Sequence, residues 1–381
     1  LPIDAVPDIT NNQVAINVEV PSLSPFEVEK QVTYPIETAM AGIPGLSYTR
    51  SISRNGFAQV TVIFEDSVDL YFARSQVNER LAQAKEDLPE GAEPQMGPIS
   101  TGLGEIYMWT VEYENPEAEY TTPEDRLLKS DFEKAMYLRT FQDWIIRPQL
   151  KTVKGVAEVD AIGGYAQQYH VQPDPQKLAA VGLTFSDVIE ALERNNASTG
   201  AGFLEQKGEP YVVRADGRLE TVARIANVVL STRGGVPLYV KDVATVALGK
   251  ELRTGSASEN GHEVVVGTAM MLKGENSRTV SNAVDMKLAE INKSLPEGNK
   301  AKAVLNRTKL VNATIHTVQK NLGEGALLVV VILFLLLGNI RAALITALVI
   351  PITMMMTATG MLKAGISANL MSMGALDFGL I

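Results

Sequence analysis

One carboxylic acid stands in an otherwise apolar stretch at the C-terminal end of the sequence. Apolar residues dominate from Gly325 to Ile381, and Asp377 is the only acidic residue among them. An ionisable group at membrane depth is costly and therefore rare and usually functional. Apolar surroundings also raise the pKa of a carboxyl group, so such a group can take up and release protons. The sequence therefore predicts a proton-carrying role for Asp377; the alternative is a helix-end Asp that reaches the membrane interface.

Three further carboxylates have the donor type that suits weakly held divalent cations. Glu158 and Asp160 alternate with apolar residues, so both side chains are expected on one face of a strand. Glu105 is expected on the same face of another strand as two aromatic residues. The three histidines are scattered and lack the spacing of a structural zinc site. Carboxylates with few histidines favour an exchangeable site, whereas solvated strand charges are the alternative.

The charge, the cysteine content and the motifs of the sequence argue against several classes of function. The formal net charge of −10 argues against nucleic acid as a partner and suits cationic ligands. The absence of cysteine excludes disulfides, thiolate metal sites and cysteine nucleophiles. The sequence has no Gly-x-Ser-x-Gly motif and no phosphate-binding Walker loop, so we expect neither an enzyme nor a bound cofactor.

Three apolar segments predict membrane-spanning helices. Gly325–Ile340 is interrupted only at its end, Ala342–Leu362 has 21 residues without a charge, and Ala368–Ile381 has 14 residues. A spanning helix needs about 20 apolar residues, so the second qualifies directly and the others only if extended. A buried helical hairpin of a soluble protein is the alternative. The sequence has no initiator Met and stops within the third segment, so we expect both ends to continue in a longer protein.

The first hundred residues predict a split βαβ arrangement, with the order β-α-β-β-α and room for another strand. The first strand shows alternating valine and isoleucine, and Ser24-Pro25-Phe26-Glu27 is typical of a capped helix start. Asn55-Gly56 is a strong signal for a tight hairpin. The expected elements after the first strand are a helix to Ala41, strands Leu46–Arg54 and Phe57–Phe64, and a helix Leu70–Asp87.

Much of this order recurs. Leu-Pro-Glu-Gly follows matched helical segments at residues 88–91 and 295–298, which favours duplication. The second copy is interrupted by an inserted module at about Gln172–Gly249, with its own helix from Thr184 to Asn195. The expected elements of the second copy are a strand Leu103–Tyr113, a helix Phe132–Lys151, a hairpin of Val156–Ile162 and Tyr165–Val171 turning at Gly163-Gly164, and a helix Ser277–Lys293.

Four longer motifs accompany this arrangement: Leu1-Pro2-Ile3-Asp4-Ala5-Val6-Pro7-Asp8-Ile9-Thr10, Met96-Gly97-Pro98-Ile99-Ser100-Thr101-Gly102-Leu103-Gly104-Glu105-Ile106-Tyr107, Gly338-Asn339-Ile340-Arg341-Ala342-Ala343-Leu344 and Gly374-Ala375-Leu376-Asp377-Phe378-Gly379. Together with these motifs, the arrangement resembles the heavy-metal efflux branch, cobalt–zinc–cadmium type, of the resistance-nodulation-division exporters.

The resemblance implies the N-terminal half of a longer chain, with α+β porter subdomains of ferredoxin-like split βαβ repeats, a docking insertion and all-α transmembrane helices. The implied domains are a first porter subdomain at 1–100, a second at 101–171 and 250–310, a docking subdomain at 172–249, and transmembrane helices two, three and a truncated four at 311–381.

The resemblance also implies a function. A homotrimer in the inner membrane of a Gram-negative bacterium, with a large periplasmic domain, would export zinc, cobalt or cadmium in exchange for protons. It would work with a periplasmic adaptor and an outer-membrane channel. Asp377 would belong to the proton relay, and Glu105 and Asp160 would bind the metal directly, with Glu158 a weaker candidate. The alternatives are a drug or lipid exporter of the same superfamily, disfavoured by an aromatic content of 6%, and a non-transporting scaffold protein.

Overall fold

A computed structural model describes residues 3–4, 8–122, 126–206, 209–215, 217–251, 253, 255–363 and 368–369. The chain divides into two compact units. The first comprises Leu1–Asn115, Gln142–Ala161 and Val266–Ile381, and the second comprises Pro116–Phe141 and Ile162–Val265.

The first subdomain is an antiparallel four-stranded sheet with helices packed against its apolar face. Val14, Ile16 and Val18 are buried, while the residues between them face the other way, as the alternation predicts. The strands, in spatial order, are Leu46–Arg54, Phe57–Phe64, Asn12–Glu19 and Glu93–Met96. The helices are Pro25–Val28, continued through Glu29–Thr33 to Tyr34–Met40, and Leu70–Ala84, which ends in the 3-10 turn Lys85–Asp87.

Local sequence signals in this subdomain are confirmed. Ser24 and Glu27 form the predicted reciprocal cap, in which each side chain accepts a hydrogen bond from the other residue's backbone N–H. Gly56 adopts a φ of 71° between the two hairpin strands. The helix from Leu70 is capped by Asp69, whose side chain accepts from the Phe72 N–H.

The same strand order occurs a second time. Its four main strands are, in spatial order, Val156–Ile162, His262–Met271, Glu105–Tyr113 and Asn299–Asn306, with the short Ala257–Glu259 also paired to the second of them. Its helices are Asp131–Phe141, continued through Gln142–Ile146 to Arg147–Leu150, and Ser277–Asn292; a 3-10 turn, Gly102–Gly104, precedes the strand from Glu105.

The predicted hairpin at Gly163-Gly164 is wrong. Val156–Ile162 pairs with His262–Met271, whereas the next strand, Gln167–Pro173, pairs with Ala244–Lys250. Both glycines do have positive φ, 88° and 62°. A Cβ at Gly163 would stand 2.6 Å from the Val264 carbonyl oxygen, so close backbone approach, and not a hairpin turn, requires glycine here. The second compact unit resumes at Ile162.

Both subdomains carry a π-helical turn at the same place in the first helix. Glu29–Thr33 precedes Tyr34-Pro35, and Gln142–Ile146 precedes Arg147-Pro148. Proline has no N–H and its ring crowds the carbonyl one turn back, so a locally widened turn accommodates it. This shared irregularity is independent of the Leu-Pro-Glu-Gly signal and strengthens the interpretation as a repeat.

The inserted part of the second unit is a set of small hairpins and short helices. Thr184 and Asp187 form the predicted reciprocal cap of the helix Phe185–Asn195. A helical turn separates two strands in the C-terminal part of this module. The strands are Thr199–Gln206, Glu209–Ala215, Val229–Arg233, Val236–Tyr239 and Ala244–Lys250, and the other helices are Pro175–Ala180, Val222–Ala226 and Val240–Val243.

Two long helices, Arg307–Leu337 and Ile340–Lys363, cover the first two predicted apolar segments. Both are long and apolar enough to cross a membrane, and none of their most apolar residues is buried within the chain. Gly338 ends the first helix with a φ of 61°, and the Asn339 side chain accepts from the Arg341 N–H at the start of the second. The third segment lies outside the described residues apart from Ala368–Asn369, which pairs with Ile3–Asp4.

Gly267 is the position where an added methyl group is expected to destabilise the second subdomain. Its Cβ would lie 2.3 Å from the ring of Trp109, which is fully buried and held by a hydrogen bond to Gln142. Forcing extra atoms into a packed core costs about 1–3 kcal/mol. We expect Gly267→Ala to lower the thermal unfolding midpoint of the purified protein. Gly102→Ala, where no atom lies within 4 Å of the new methyl, is the control and should leave that midpoint unchanged.

Candidate functional site

A cavity of about 820 Å³ lies within the first unit and brings polar residues of three strands together. Each strand turns a polar face toward it. The acidic and amide residues that line it are Asn17 and Glu19, Glu93 and Gln95, and Glu158 and Asp160.

The alternation of the first subdomain builds one wall of this cavity. Because Ile16 and Val18 point into the core, Asn17 and Glu19 must point away from it. Glu19 lies directly opposite Glu93 in the antiparallel pair. Like charges facing each other across two strands repel, so this wall is stabilised by any cation that enters.

Glu158 is neutralised by two basic residues that follow the second π turn. Lys151 Nζ lies 2.9 Å and an Arg147 Nη 3.4 Å from its carboxylate, whose side chain is 23% exposed. Burial by itself raises the pKa of Glu158. The hydrogen bonds from Lys151 and the Val159 N–H, together with the charges of Lys151 and Arg147, outweigh burial and hold the pKa below its usual value. Glu158 is therefore ionised and already paired.

Asp160 differs from Glu158 although it lies only two residues further along the same strand. It makes no hydrogen bond or ion pair with any residue that the structure describes. Solvent reaches its side chain, but the cavity wall removes part of the hydration of the carboxyl group. This burial raises the pKa of Asp160, the negative charge of Glu158 raises it further, and the charges of Arg147 and Lys151 oppose both only in part. Of the two carboxylates on this strand, Asp160 is thus the one without a paired basic residue.

The structure does not bring Glu105 together with these residues in the cavity. Glu105 is exposed at the start of its strand and does not line the cavity. The aromatic residues expected to share its face are buried instead: the Tyr107 hydroxyl donates to Asp285, and Trp109 Nε1 donates to Gln142 Oε1 at 2.9 Å. That face of the strand packs against helices, and the polar atom of each buried ring has a hydrogen-bond partner on a helical segment.

The structure brings no other described candidate group into the cavity. Asp377 is outside the described residues. None of the three histidines lines the cavity. Within the described part of the chain, no three His, Asp or Glu side chains are grouped so that they could hold a metal ion. The described part of the cavity is therefore not a closed coordination site.

Sequence reasoning missed four charged residues of the cavity. The alternating pattern of the first strand predicts that the Glu19 side chain points away from the core. Its position opposite Glu93, however, depends on the register between two strands that are distant in sequence. Arg74 donates a 2.8 Å hydrogen bond to the Gly97 carbonyl within the Met96-Gly97-Pro98 motif. Arg147 follows the π turn, which no sequence periodicity indicated.

The sequence matches the AcrB/AcrD/AcrF family over residues 1–381. It is 58% identical to Protein HelA of Legionella pneumophila and 57% identical to the cobalt-zinc-cadmium resistance protein CzcA of Cupriavidus metallidurans. Each of these comparisons covers 100% of this chain but only 35% of the relative. A crystal structure of a heavy metal efflux pump is 33% identical, with a TM-score of 0.84, covering 100% of this chain and 36% of that one. The chain therefore belongs to the AcrB/AcrD/AcrF family.

Proposed function

We propose that this chain is the N-terminal part of an exporter of divalent heavy-metal cations. The observation that carries the proposal is its 57% identity, along its whole length, to a cobalt-zinc-cadmium resistance protein. Zinc, cobalt and cadmium are accordingly the proposed cargo. No enzymatic step is part of this proposal.

The charge of the residues that line the cavity supports the proposal that the cargo is a divalent cation. Four carboxylates and two guanidinium groups line it: Glu19, Glu93, Glu158 and Asp160, with Arg74 and Arg147. The excess of negative charge attracts a cation, and the oxygen donors suit borderline divalent ions without holding them tightly. A transported ion must leave again, so weak binding favours transport. Asp160, without a partner among the described residues, is the proposed direct contact, and Glu158 assists it.

Proton exchange is the proposed energy source. The sequence contains no nucleotide-binding motif, and Asp377 stands alone as an acid in its apolar segment. Protonation of that carboxylate from one side and release on the other would bias a membrane bundle between two conformations.

The proposed setting is the inner membrane of a Gram-negative bacterium. The two apolar helices would cross the bilayer, and both subdomains with the inserted module would lie in the periplasm. The proposed assembly is a homotrimer that meets a periplasmic adaptor and an outer-membrane channel, with residues 172–249 as the docking part.

Flux measurements on the complete protein that contains this sequence test the proposal. Purified protein in liposomes with an imposed pH gradient is expected to move zinc, cobalt or cadmium and to stop when the gradient is collapsed. Copper(I) serves as the soft-cation comparison. Export of dyes or detergents without metal flux would favour a drug or lipid exporter, and no flux of any solute would favour a scaffold role.

A further inference from the structure

Arg147 occupies a position in the cavity that the fold itself does not require to be basic. It is the first residue after the π turn Gln142–Ile146 and precedes Pro148. In the first subdomain the equivalent residue is Tyr34, which also follows a π turn and precedes a proline. Tyr34 is 65% exposed, so the turn tolerates an unrelated side chain there. The basic residue at 147 therefore needs another explanation.

The contacts of Arg147 supply that explanation. Its guanidinium group lines the cavity and lies 3.4 Å from a Glu158 carboxylate oxygen. Lys151 contacts the same carboxylate at 2.9 Å, but it does not line the cavity. Of the two basic groups, only Arg147 occupies space that a cation in the cavity would use.

We propose that Arg147 is a specificity-determining residue of this site, acting as a built-in counter-cation that competes with cargo for Glu158. The inference rests on the proposed function. While Arg147 holds Glu158, the strand offers the cargo a single uncommitted carboxylate, Asp160. To gain the second carboxylate of this strand, a divalent ion must displace Arg147 from Glu158, and the returning guanidinium then helps to expel the ion. Monovalent cations, with half the charge, compete less well for the same carboxylate.

Cation binding by the complete protein in detergent micelles tests the role of Arg147. Isothermal titration with zinc chloride and with cobalt chloride is the measurement, and the binding lost in Asp160→Asn identifies the cavity. A part-exposed ion pair contributes up to about 1 kcal/mol, and a bound cation no longer has to break this pair once Arg147 is removed. We therefore expect Arg147→Gln to tighten cation binding in the cavity about threefold to fivefold. Lys154→Gln, an exposed lysine on the same segment that does not line the cavity, is the control and should bind as the unaltered protein does.

A double-mutant cycle separates this role from a structural one. If Arg147 acts mainly through Glu158, Arg147→Gln has a smaller effect in a Glu158→Gln background, where only the charge of Arg147 near Asp160 remains to be removed. Arg147→Lys keeps the charge and should bind within about twofold of the unaltered protein. Arg147→Met, with a stem of similar length, repeats the test should glutamine disturb folding.

The outcomes distinguish this inference from the proposed function. Unchanged or weaker cavity binding in folded Arg147→Gln and Arg147→Met, with Asp160→Asn still abolishing binding, overturns the role of Arg147 alone. If Arg147→Gln raises the cation affinity equally with Glu158 present and in the Glu158→Gln background, the role of Arg147 is also overturned. Absence of cation binding by the unaltered protein, or binding indifferent to Asp160→Asn, overturns this inference together with the cavity as the cargo site.

Discussion

Asp377→Asn is expected to abolish metal export driven by a pH gradient. Asparagine preserves the size and hydrogen-bonding capacity of the side chain but cannot carry a proton. Because no other acidic residue occurs between Gly325 and Ile381, the apolar segments of this chain contain no substitute. Loss of a required proton-transfer group slows a reaction by about 100-fold or more.

Proteoliposomes with an imposed pH gradient measure this effect as zinc or cobalt flux. Asp66→Asn, which removes an exposed aspartate of the first subdomain, is the control and should transport normally. Asp377→Glu retains a titratable group and should keep part of the flux. Gradient-driven flux at the unaltered rate in Asp377→Asn would show that this carboxylate is not part of the proton pathway.

Asp160→Asn has the second large expected effect. Loss of even an outer-shell partner of a metal ligand costs about 10–100-fold in affinity, so removal of the proposed direct contact should lower zinc affinity by at least about tenfold. The binding should also lose a pH dependence that the unaltered protein shows. A metal ion binds the ionised carboxylate, so a raised pKa means that protons compete with the ion at a higher pH than for an ordinary aspartate. Affinity in the unaltered protein should therefore fall as the pH is lowered, and the fall should begin at a higher pH than at an ordinary aspartate.

Glu158→Gln is the matched variant for this experiment. The pKa of Glu158 lies below its usual value, so the group stays ionised over the same range and does not produce the pH dependence. Its removal also takes away the neighbouring negative charge that raises the Asp160 pKa, so the fall in affinity should move to lower pH. Titration calorimetry at several pH values measures both effects. A pH dependence that persists unchanged in Asp160→Asn contradicts the assignment.

Signals that depend on a few consecutive residues predicted their structures well. Ser24 with Glu27, and Thr184 with Asp187, form caps because each needs only one helical turn to bring its partners together. The Asn55-Gly56 hairpin succeeded for the same reason. Gly163-Gly164 carried an equally strong signal and misled, because positive φ also permits a close approach between distant strands.

The candidate site was harder to predict because it depends on contacts between distant residues. Alternation correctly placed Glu158 and Asp160 on the cavity side of their strand. Alternation could not show that Lys151 and Arg147 form ion pairs with Glu158 and not with Asp160. The positions of these two basic residues depend on where the preceding π turn ends. Alternation predicts which residues share a face with Glu105 but not whether that face meets a cleft or a helix, so it could not show that Glu105 lies outside the cavity.

The late closure of the second sheet has a consequence for biosynthesis. Val156–Ile162 must wait for His262–Met271, about 100 residues later, before its ladder can form. At about 5–20 residues per second, the waiting time on the ribosome is about 5–20 s, far longer than local folding takes. The first subdomain, whose strands are close in sequence, can complete its sheet in the meantime. The second subdomain instead exposes an unpaired strand edge during synthesis, so its nascent chain is the part most dependent on chaperones and most prone to aggregate.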